Sequence, residues 1–461
     1  MENRDVNIQR IKDKKIIVVG MGKSGQAVVK ALKEIGSDIS IQDSNPRENM
    51  KPAIISYIEK AEIPAYFGSF PKNIEDFDMM VLSPGVSLEL EIVKEAIRKG
   101  VEVIGELELA YRLSKGRYIA ITGTNGKTTT TTLVGEIFKE ANKRAYVVGN
   151  IGNPAITDAL ISEDSDCFIS EVSSFQLETV DRFKPSISAI LNFTPDHLNR
   201  HHTMQAYGMA KARIFANQNF GDYLIINKDD TACYKLSLNA KANIIPFSRK
   251  EKLDKGAYLD DGFIVIKDEN KNEYKICKVD DIKIPGNHNI ENILAASAIS
   301  FFAGIKPEII RETIKNFSGV EHRIEYSGEV DGVKFYNDSK GTNVDASIIA
   351  LKALKNKIIL IAGGDGKGQD FKELAKNLAG RVKAVILYGR DAGLIEKDIN
   401  EQNFSEVYLE KDLPSSVAKA FEISEKGDKI LLSPACASWD MYDSYIQRGN
   451  HFKECVNSLL K

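Results

Sequence analysis

The sequence predicts an α/β protein of three domains. Short β-branched runs alternate with helical apolar spacing along most of the chain, the punctuation of βαβ units. Gly20-Met21-Gly22-Lys23-Ser24-Gly25 is a complete G-x-G-x-x-G between such a run and a helical stretch. Gly123-Thr124-Asn125-Gly126-Lys127-Thr128-Thr129 is a glycine-rich, phosphate-binding loop in the same setting. The fold class is therefore α/β with a Rossmann-like N-terminal domain at 1–105, a central P-loop ATPase-type domain at 106–318 and a C-terminal Rossmann-like α/β domain at 319–461. A length of 461 residues fits roughly three domains of about 150 residues each.

Each element follows in order. Lys15–Val19 is a strand, and Gln26–Ile35 has helical spacing that stops at Gly36. Asp38–Ile41 is a second strand that runs out at Asp43. Met79–Leu82 is another, before the Ser83-Pro84-Gly85 turn. Ile92–Lys99 reads as helix and Val101–Ile104 as strand. Tyr118–Ile121 is the strand that carries the phosphate loop. Cys167–Ser170, Ile187–Leu191 and Tyr223–Ile226 continue that sheet. Gln205–Asn217 reads as helix. Residues 250–281 alternate in short charged pieces that suit hairpins. Asn289–Phe302 is a long apolar helix. A third unit opens near Gly319, with strands at Lys334–Tyr336, Lys357–Ala362, Ala384–Tyr388 and Lys429–Leu432.

Composition bounds the function. Apolar content of 43% and charged content of 28% are those of an ordinary globular protein. A net charge of −3 makes no electrostatic case for nucleic acid or a membrane surface. No run approaches the roughly 20 apolar residues of a membrane span. Met1–Lys15 is charged and lacks the apolar core of a secretory peptide. The five cysteines are scattered, with neither zinc spacing nor a disulfide framework, which fits reduced thiols in the cytoplasm.

The phosphate loop narrows the chemistry most. Its glycines let backbone N–H groups converge, Lys127 brings a mobile cation to the outer phosphates and Thr128 offers a hydroxyl to Mg²⁺. Ile121 stands where the general Walker pattern has its first glycine, so this is a shortened loop. The Gly20–Gly25 turn with Asp43 on the next strand would alone suit an NAD(P) enzyme. The same turn can hold any pyrophosphate, and a second phosphate loop argues for a different ligand.

Other polar groups sit at strand ends. Glu171 follows a strand beside the phosphate loop and can hold Mg²⁺ or cap a helix. His197 sits in Asn192-Phe193-Thr194-Pro195-Asp196-His197 and could meet substrate, whereas His201 and His202 are expected to face solvent. Lys211, on a helix, reads by pattern as a solvated charge. Asn287, Asn289 and Asn292 cap and begin a long helix, or read an adenine edge. Arg323, the loop 338–343, the loop 363–368 and the loop 433–440 offer cations and hydroxyls for anionic ligands. No base accompanies Cys436, so it is not read as a nucleophile.

Taken together these strings resemble the Mur ligase family of cell-wall peptide synthetases, and within it the D-glutamate-adding branch. The residues that carry the likeness are Gly123–Thr129, Glu171–Glu178, Thr194–His201, Ala210–Arg213, His322-Arg323, Asn337–Asn343, Gly363–Lys367 and Leu432–Ser438. The diaminopimelate-adding branch carries Asp-Asn-Pro-Arg in its last domain. This chain has none there, and Asp43-Ser44-Asn45-Pro46-Arg47 lies in the first domain. Thr128, Trp439 and Tyr445 depart from the usual residues.

The resemblance implies an ATP-dependent ligase that joins D-glutamate to UDP-N-acetylmuramoyl-L-alanine for peptidoglycan, acting as a cytoplasmic monomer. ATP would lie on Gly123, Thr124, Asn125, Gly126, Lys127, Thr128, Thr129, Asn289, Arg323 and Asp338. The UDP-substrate would lie on Gly22, Lys23, Ser24, Asp43, Ser44, Ser83, Gly85, Asn150 and His197. D-glutamate would meet Lys340, Thr342, Lys367, Ser438 and Tyr445. Two Mg²⁺ ions would be held by Thr128, Glu171 and a carbamylated Lys211, with Lys127, His197 and Lys211 as the catalytic groups. Competing readings are another Mur-family or folylpolyglutamate-type amino-acid ligase, a nucleotide-switched P-loop binding protein, and an NAD-linked oxidoreductase.

Overall fold

Among the described residues, three sheets organise the fold. The computed structural model describes residues 4–150 and 152–459. Contacts divide it into two compact units, one of residues 1–281 with 290–315 and one of residues 282–289 with 316–461. Of the charged stretch at the start, Arg4–Lys12 is a helix, and residues 1–3 lie outside the described residues.

The first unit holds two sheets. In one, β1 (Lys15–Val19), β2 (Asp38–Asp43), β3 (Ala65–Phe67), β4 (Met79–Leu82) and β5 (Glu102–Gly105) pair in the order β3-β2-β1-β4-β5, all parallel. The order reverses between β1 and β4, where ligands settle in open α/β sheets. The second sheet comprises β6 (Arg117–Thr122), β7 (Ala145–Gly149), β8 (Cys167–Glu171), β9 (Ile187–Ile190), β10 (Tyr223–Asn227), β11 (Asn243–Ser248), β12 (Gly256–Asp260), β13 (Phe263–Lys267) and β14 (Glu273–Lys278). Its order is β14-β13-β12-β11-β10-β9-β6-β8-β7. It is parallel from β7 to β12 and ends in the antiparallel meander β12-β13-β14. The central strands are buried on both faces, which is why they read as unbroken apolar runs.

A buried ionic network staples this unit. The Glu108 carboxylate, fully buried, accepts the N–H groups of Asp181, Arg182 and Phe183 at 2.9, 3.0 and 3.0 Å and Arg112 Nε at 2.7 Å. Arg112 also reaches Glu102 at 2.6 Å. A buried ion pair is tolerated only when its remaining lone pairs and protons are satisfied, and here most are.

The second unit is a six-stranded sheet of β15 (Glu325–Val330), β16 (Val333–Asn337), β17 (Ile358–Gly363), β18 (Val382–Tyr388), β19 (Val407–Leu409) and β20 (Lys429–Leu432). The order is β15-β16-β20-β17-β18-β19, parallel except for β15.

Several expectations shift. The long helix begins at Asn287, two residues earlier than its apolar spacing suggests. The helix near Gln205 is α-helical over Met204–Ala212 and tightens to 3₁₀ over Arg213–Phe215. Strands β3, β7, β11, β15 and β19 add to those expected. β3 and β19 are three residues long, β7 is an edge, and β15 is a polar edge strand.

Candidate functional site

The phosphate loop joins β6 to the helix Lys127–Glu140. Gly126 turns it with φ of 83°, and a Cβ there would stand 2.1 Å from Asn292 Oδ1, so only glycine fits. Asn125 exchanges hydrogen bonds with the Asn192 side chain, donating its N–H to Oδ1 at 2.8 Å and accepting Nδ2 at 2.9 Å. Thr124 Oγ1 donates to Thr194 O at 3.0 Å and accepts Thr194 N at 3.1 Å. The Lys127 ammonium folds back on its own loop, donating to Gly123 O at 2.9 Å and Thr124 O at 2.8 Å. Thr128 and Thr129 are buried.

Lys211 overturns the reading of its helix as a solvated face. It is 1% exposed, because the helix Met204–Ala212 lays this side against β6. Its Nζ donates to Gly123 O at 2.9 Å and approaches Thr122 Oγ1 at 3.4 Å, with the Tyr207 ring centroid 4.6 Å away. Burial, reinforced by the Lys127 charge, holds its pKa well below the ordinary lysine value. The amine is thus held toward its neutral, nucleophilic form.

Glu171 ends β8 and is 2% exposed. Its Oε1 accepts Asn150 Nδ2 at 3.1 Å, and its Oε2 is buried with no hydrogen-bond partner among the described residues. An orphaned carboxylate oxygen is what a hard cation would satisfy. Among the described residues no group of three or more His, Cys, Asp and Glu could hold a metal alone. A cation here would draw on further oxygens besides Glu171.

His197 stands half-exposed with φ of 52°, its ring edge-on to Phe175 at 4.8 Å and its Nε2 3.4 Å from Asp196. Burial lowers its pKa below the usual 6.5; Asp196 opposes this, and Lys127, Lys211 and Arg200 add to it. The imidazole is therefore neutral at pH 7 and can accept a proton. His201 does not face solvent. It is 6% exposed, its Nε2 within 2.9 Å of Ser174 Oγ and its Nδ1 3.3 Å from Glu178, under the rings of Phe175 and Tyr207. His202 is exposed as expected and meets Glu89 at 3.1 Å. Arg200 was not singled out from sequence. It lies over Phe175 at 4.2 Å, pairs with Glu178 at 2.6 Å and donates to Pro84 O and Val86 O, which fixes the Ser83–Gly85 turn.

At the switch of the first sheet, the Gly20–Gly25 turn enters the helix Lys23–Glu34. A Cβ on Gly25 would meet Gly20 O at 1.8 Å. Asp43 Oδ2 accepts Met21 N at 2.7 Å, Asp43 Oδ1 accepts Asn45 N at 2.9 Å, and Ser83 Oγ donates to Gly20 O at 2.8 Å. Lys23 Nζ donates to Gly152 O at 2.5 Å. Gly22, Lys23 and Asp43, with Asn45, Asn153 and Thr157, line a cavity of about 810 Å³. Ser24 lies in the first turn of the same helix and Ser44 directly after β2. The far wall is held by Glu106, which sequence reading missed. Its buried Oε1 accepts Ile156 N at 2.8 Å, and burial pushes its pKa up to about 7.

In the second unit the loops after β16, β20 and β17 follow three adjacent strands, so they converge at one sheet edge. Asp365 and Ala437 exchange backbone hydrogen bonds at 3.0 and 2.8 Å. Lys340 Nζ lies 5.7 Å from the Tyr445 ring centroid, and Thr342 N donates to Lys340 O at 2.9 Å. Ser438 is 3% exposed. Lys367 is exposed, with φ of 53°. Asp338 is buried, accepts Ser433 Oγ at 2.7 Å and Ile324 N at 3.3 Å, and has its pKa pushed up to about 6 by that burial. Arg323 Nε is buried without a hydrogen-bond partner among the described residues, and Asn289 Nδ2 donates to Pro285 O at 2.7 Å. Cys436 is buried and its thiol is pushed up to about 12, which agrees with its exclusion as a nucleophile. Arg448, also missed from sequence, is 1% exposed on the helix Tyr445–Leu459. It donates to Ser339 Oγ at 3.0 Å, Ser339 O at 2.8 Å and Cys436 O at 3.0 Å, clamping two of the three loops.

Comparison with known proteins decides the family. Residues 14–105 match the Mur ligase MurD-like N-terminal domain, 121–300 the Mur ligase middle domain and 322–436 the Mur ligase glutamate ligase domain. The UDP-N-acetylmuramoylalanine–D-glutamate ligase of Caldanaerobacter subterraneus subsp. tengcongensis is 47% identical over 452 residues, covering 97% of this chain and 99% of that one. The chain belongs to the Mur ligase family. The D-glutamate ligase of Clostridioides difficile is 44% identical over 450 residues, with 97% and 99% covered. Among solved structures, the UDP-N-acetylmuramate-alanine ligase of Thermotoga maritima shares the fold at a TM-score of 0.60 and 21% identity, covering 96% of this Mur ligase and 99% of that chain. A pseudomurein peptide ligase type C from Methanothermus fervidus does so at a TM-score of 0.57 and 18% identity, covering 97% and 100%. Among the described residues of this Mur ligase, no helix is long and apolar enough to cross a membrane.

Proposed function

We infer that this Mur ligase uses ATP to join D-glutamate to UDP-N-acetylmuramoyl-L-alanine, a step of peptidoglycan precursor synthesis. The observation that carries the reading is full-length identity of 44–47% to D-glutamate ligases. We propose domains at 1–105 for the UDP-substrate, 106–318 for ATP and Mg²⁺, and 319–461 for the amino acid. We also propose a monomer in the cytoplasm, in keeping with five cysteines that are all free thiols.

A carboxylate is a poor electrophile, so the substrate's terminal carboxylate first takes the γ-phosphoryl group of ATP. The residues proposed for ATP are Gly123–Thr129, Asn289, Arg323 and Asp338. Lys127 swings from its loop carbonyls to the β- and γ-phosphates, exchanging two neutral acceptors for charged ones. Glu171 Oε2, Thr128 and Lys211 as a carbamate would hold Mg²⁺, two ions in all, which would neutralise phosphate charge as the phosphoryl group transfers. Carbamylation needs a neutral amine, and burial moves Lys211 toward that form. The D-glutamate amine, which must be neutral to attack, then adds to the acyl phosphate carbon, and the tetrahedral intermediate collapses to the amide by breaking its bond to phosphate, which leaves as inorganic phosphate. His197, neutral at pH 7, accepts the ammonium proton. The UDP moiety lies on Gly22, Lys23, Ser24, Asp43, Ser44, Ser83, Gly85, Asn150 and His197. D-glutamate, with two carboxylates, meets Lys367, Lys340 and the hydroxyls of Thr342, Ser438 and Tyr445.

Mass spectrometry of products from ATP, UDP-N-acetylmuramoyl-L-alanine and each of D-Glu, L-Glu, L-Lys and L-Ala tests the reading. A product heavier by one glutamyl residue with D-Glu alone is expected. A product with L-Lys or L-Ala and none with D-Glu would overturn it.

A further inference from the structure

We propose that Trp439 is a positioning residue for Lys367. Its indole face holds the ammonium at the mouth of the three converging loops, ready for a substrate carboxylate. The proposal rests on the reading of those loops as the D-glutamate site.

Lys367 stands between Gly366 and Gly368 with φ of 53°, a conformation rarely adopted outside glycine and asparagine. Its N–H donates to Asp365 Oδ1 at 3.0 Å, which fixes the direction in which the side chain leaves the loop. The Nζ then lies 4.5 Å from the centroid of the Trp439 ring, within cation–π range. Trp439 follows Ser438 directly and is 65% exposed. Packing does not explain so large an apolar side chain in water.

The nearby acids are occupied. Asp365 Oδ2 pairs with Arg390 Nη1 at 3.1 Å, and Asp440 Oδ2 accepts Arg390 N at 3.0 Å. Among the described residues Lys367 pairs with no carboxylate. The distinction matters chemically. A resident carboxylate would neutralise the ammonium and have to be displaced by a substrate group of the same kind. An aromatic face orients the ammonium and leaves its charge available on the open side. It also limits the rotamer freedom that a long lysine would otherwise lose on binding.

The chain's one tryptophan makes the contact directly observable. The full-length protein is titrated with D-Glu in the presence of UDP-N-acetylmuramoyl-L-alanine and a non-hydrolysable ATP analogue, following tryptophan emission. Steady-state constants are measured for Trp439→Leu, Trp439→Phe and Lys367→Met. Loss of an exposed cation–π contact should raise the D-Glu KM about two- to fivefold in Trp439→Leu and leave the ATP KM unchanged. The ring-retaining Trp439→Phe should stay within about twofold of the native KM. Emission should differ between the native protein and Lys367→Met before any ligand is added, and should respond to D-Glu only in the former. A native D-Glu KM in Trp439→Leu, or identical emission in the native protein and Lys367→Met, overturns the proposal. If Lys367→Met itself leaves the D-Glu KM unchanged, the assignment of the loops to D-glutamate fails first.

Discussion

Replacing Glu106 by Gln should change the pH dependence of stability in a calculable way. The carboxyl is 2% exposed, accepts the Ile156 N–H at 2.8 Å, and is pushed from 4.5 to about 7 by burial, against hydrogen bonds from the backbone of Ile156 and Ala155. Its native pKa exceeds the unfolded value, so the native state binds the proton more tightly. The contribution to stability is intact below pH 4.5, declines as the pH rises toward 7 and is level above it. At 1.36 kcal/mol per pH unit the full loss is about 3 kcal/mol, most of it between pH 5 and pH 8. Gln keeps an acceptor for Ile156 and cannot ionise. Other groups titrate alike in both proteins, so the difference between their stabilities isolates this one. Urea unfolding followed by circular dichroism at half-unit steps from pH 5 to 8 gives that difference, with equal denaturant slopes as the control. Hydrogen exchange of a peptide spanning Ile156 gives the local counterpart. The variant should gain on the native protein by about 2–3 kcal/mol across this range. A flat difference curve would show that Glu106 does not titrate there, and burial would not be what governs it.

Three further outcomes are expected. Lys211→Ala should abolish ligation and recover part of it with added short carboxylic acids, since the carboxylate-like group is what the buried amine would become; unchanged rates in the variant and after bicarbonate depletion would refute the carbamate. A Cβ on Gly22 meets nothing within 4 Å, so Gly22→Val should fold normally while raising the KM for the UDP-substrate at least tenfold and leaving that for ATP; an equal rise for both would place the turn elsewhere in the mechanism. Burial raises the pKa of every cysteine and only Cys455 is part-exposed, so at pH 8 a thiol reagent should modify at most that one in the native protein and all five in urea.

What could be read in advance depended on where the cause lay. β1, β4 and β20 occupy the residues their apolar runs suggest, because strands buried on both faces need no alternation. β11 was hidden by Pro246, which argues against an interior strand, yet it pairs with β10 and β12. β15 was hidden because an edge strand can be polar. The phosphate loop and the Gly20 turn are local constructions and were legible from spacing. Lys211 and His201 were misread by pattern because Thr122 and Phe175, from distant segments, together with Tyr207 nearby in sequence, bury them. The likeness to a known family implied a role for Lys211 that pattern alone did not, and assigned none to His201. Glu106 and Arg448 left no local signal, since each serves backbone groups far along the chain.

The clamp made by Arg448 has a temporal side. Synthesis runs from the N-terminus at roughly 5–20 residues per second, and domains begin to fold as they emerge. Arg448 follows every strand of its sheet in sequence, so the guanidinium that ties Ser339 to Cys436 is made after all of them. A chain that stops short of Arg448 would carry every strand sequence of the sheet and yet lack the tie between the loops after β16 and β20.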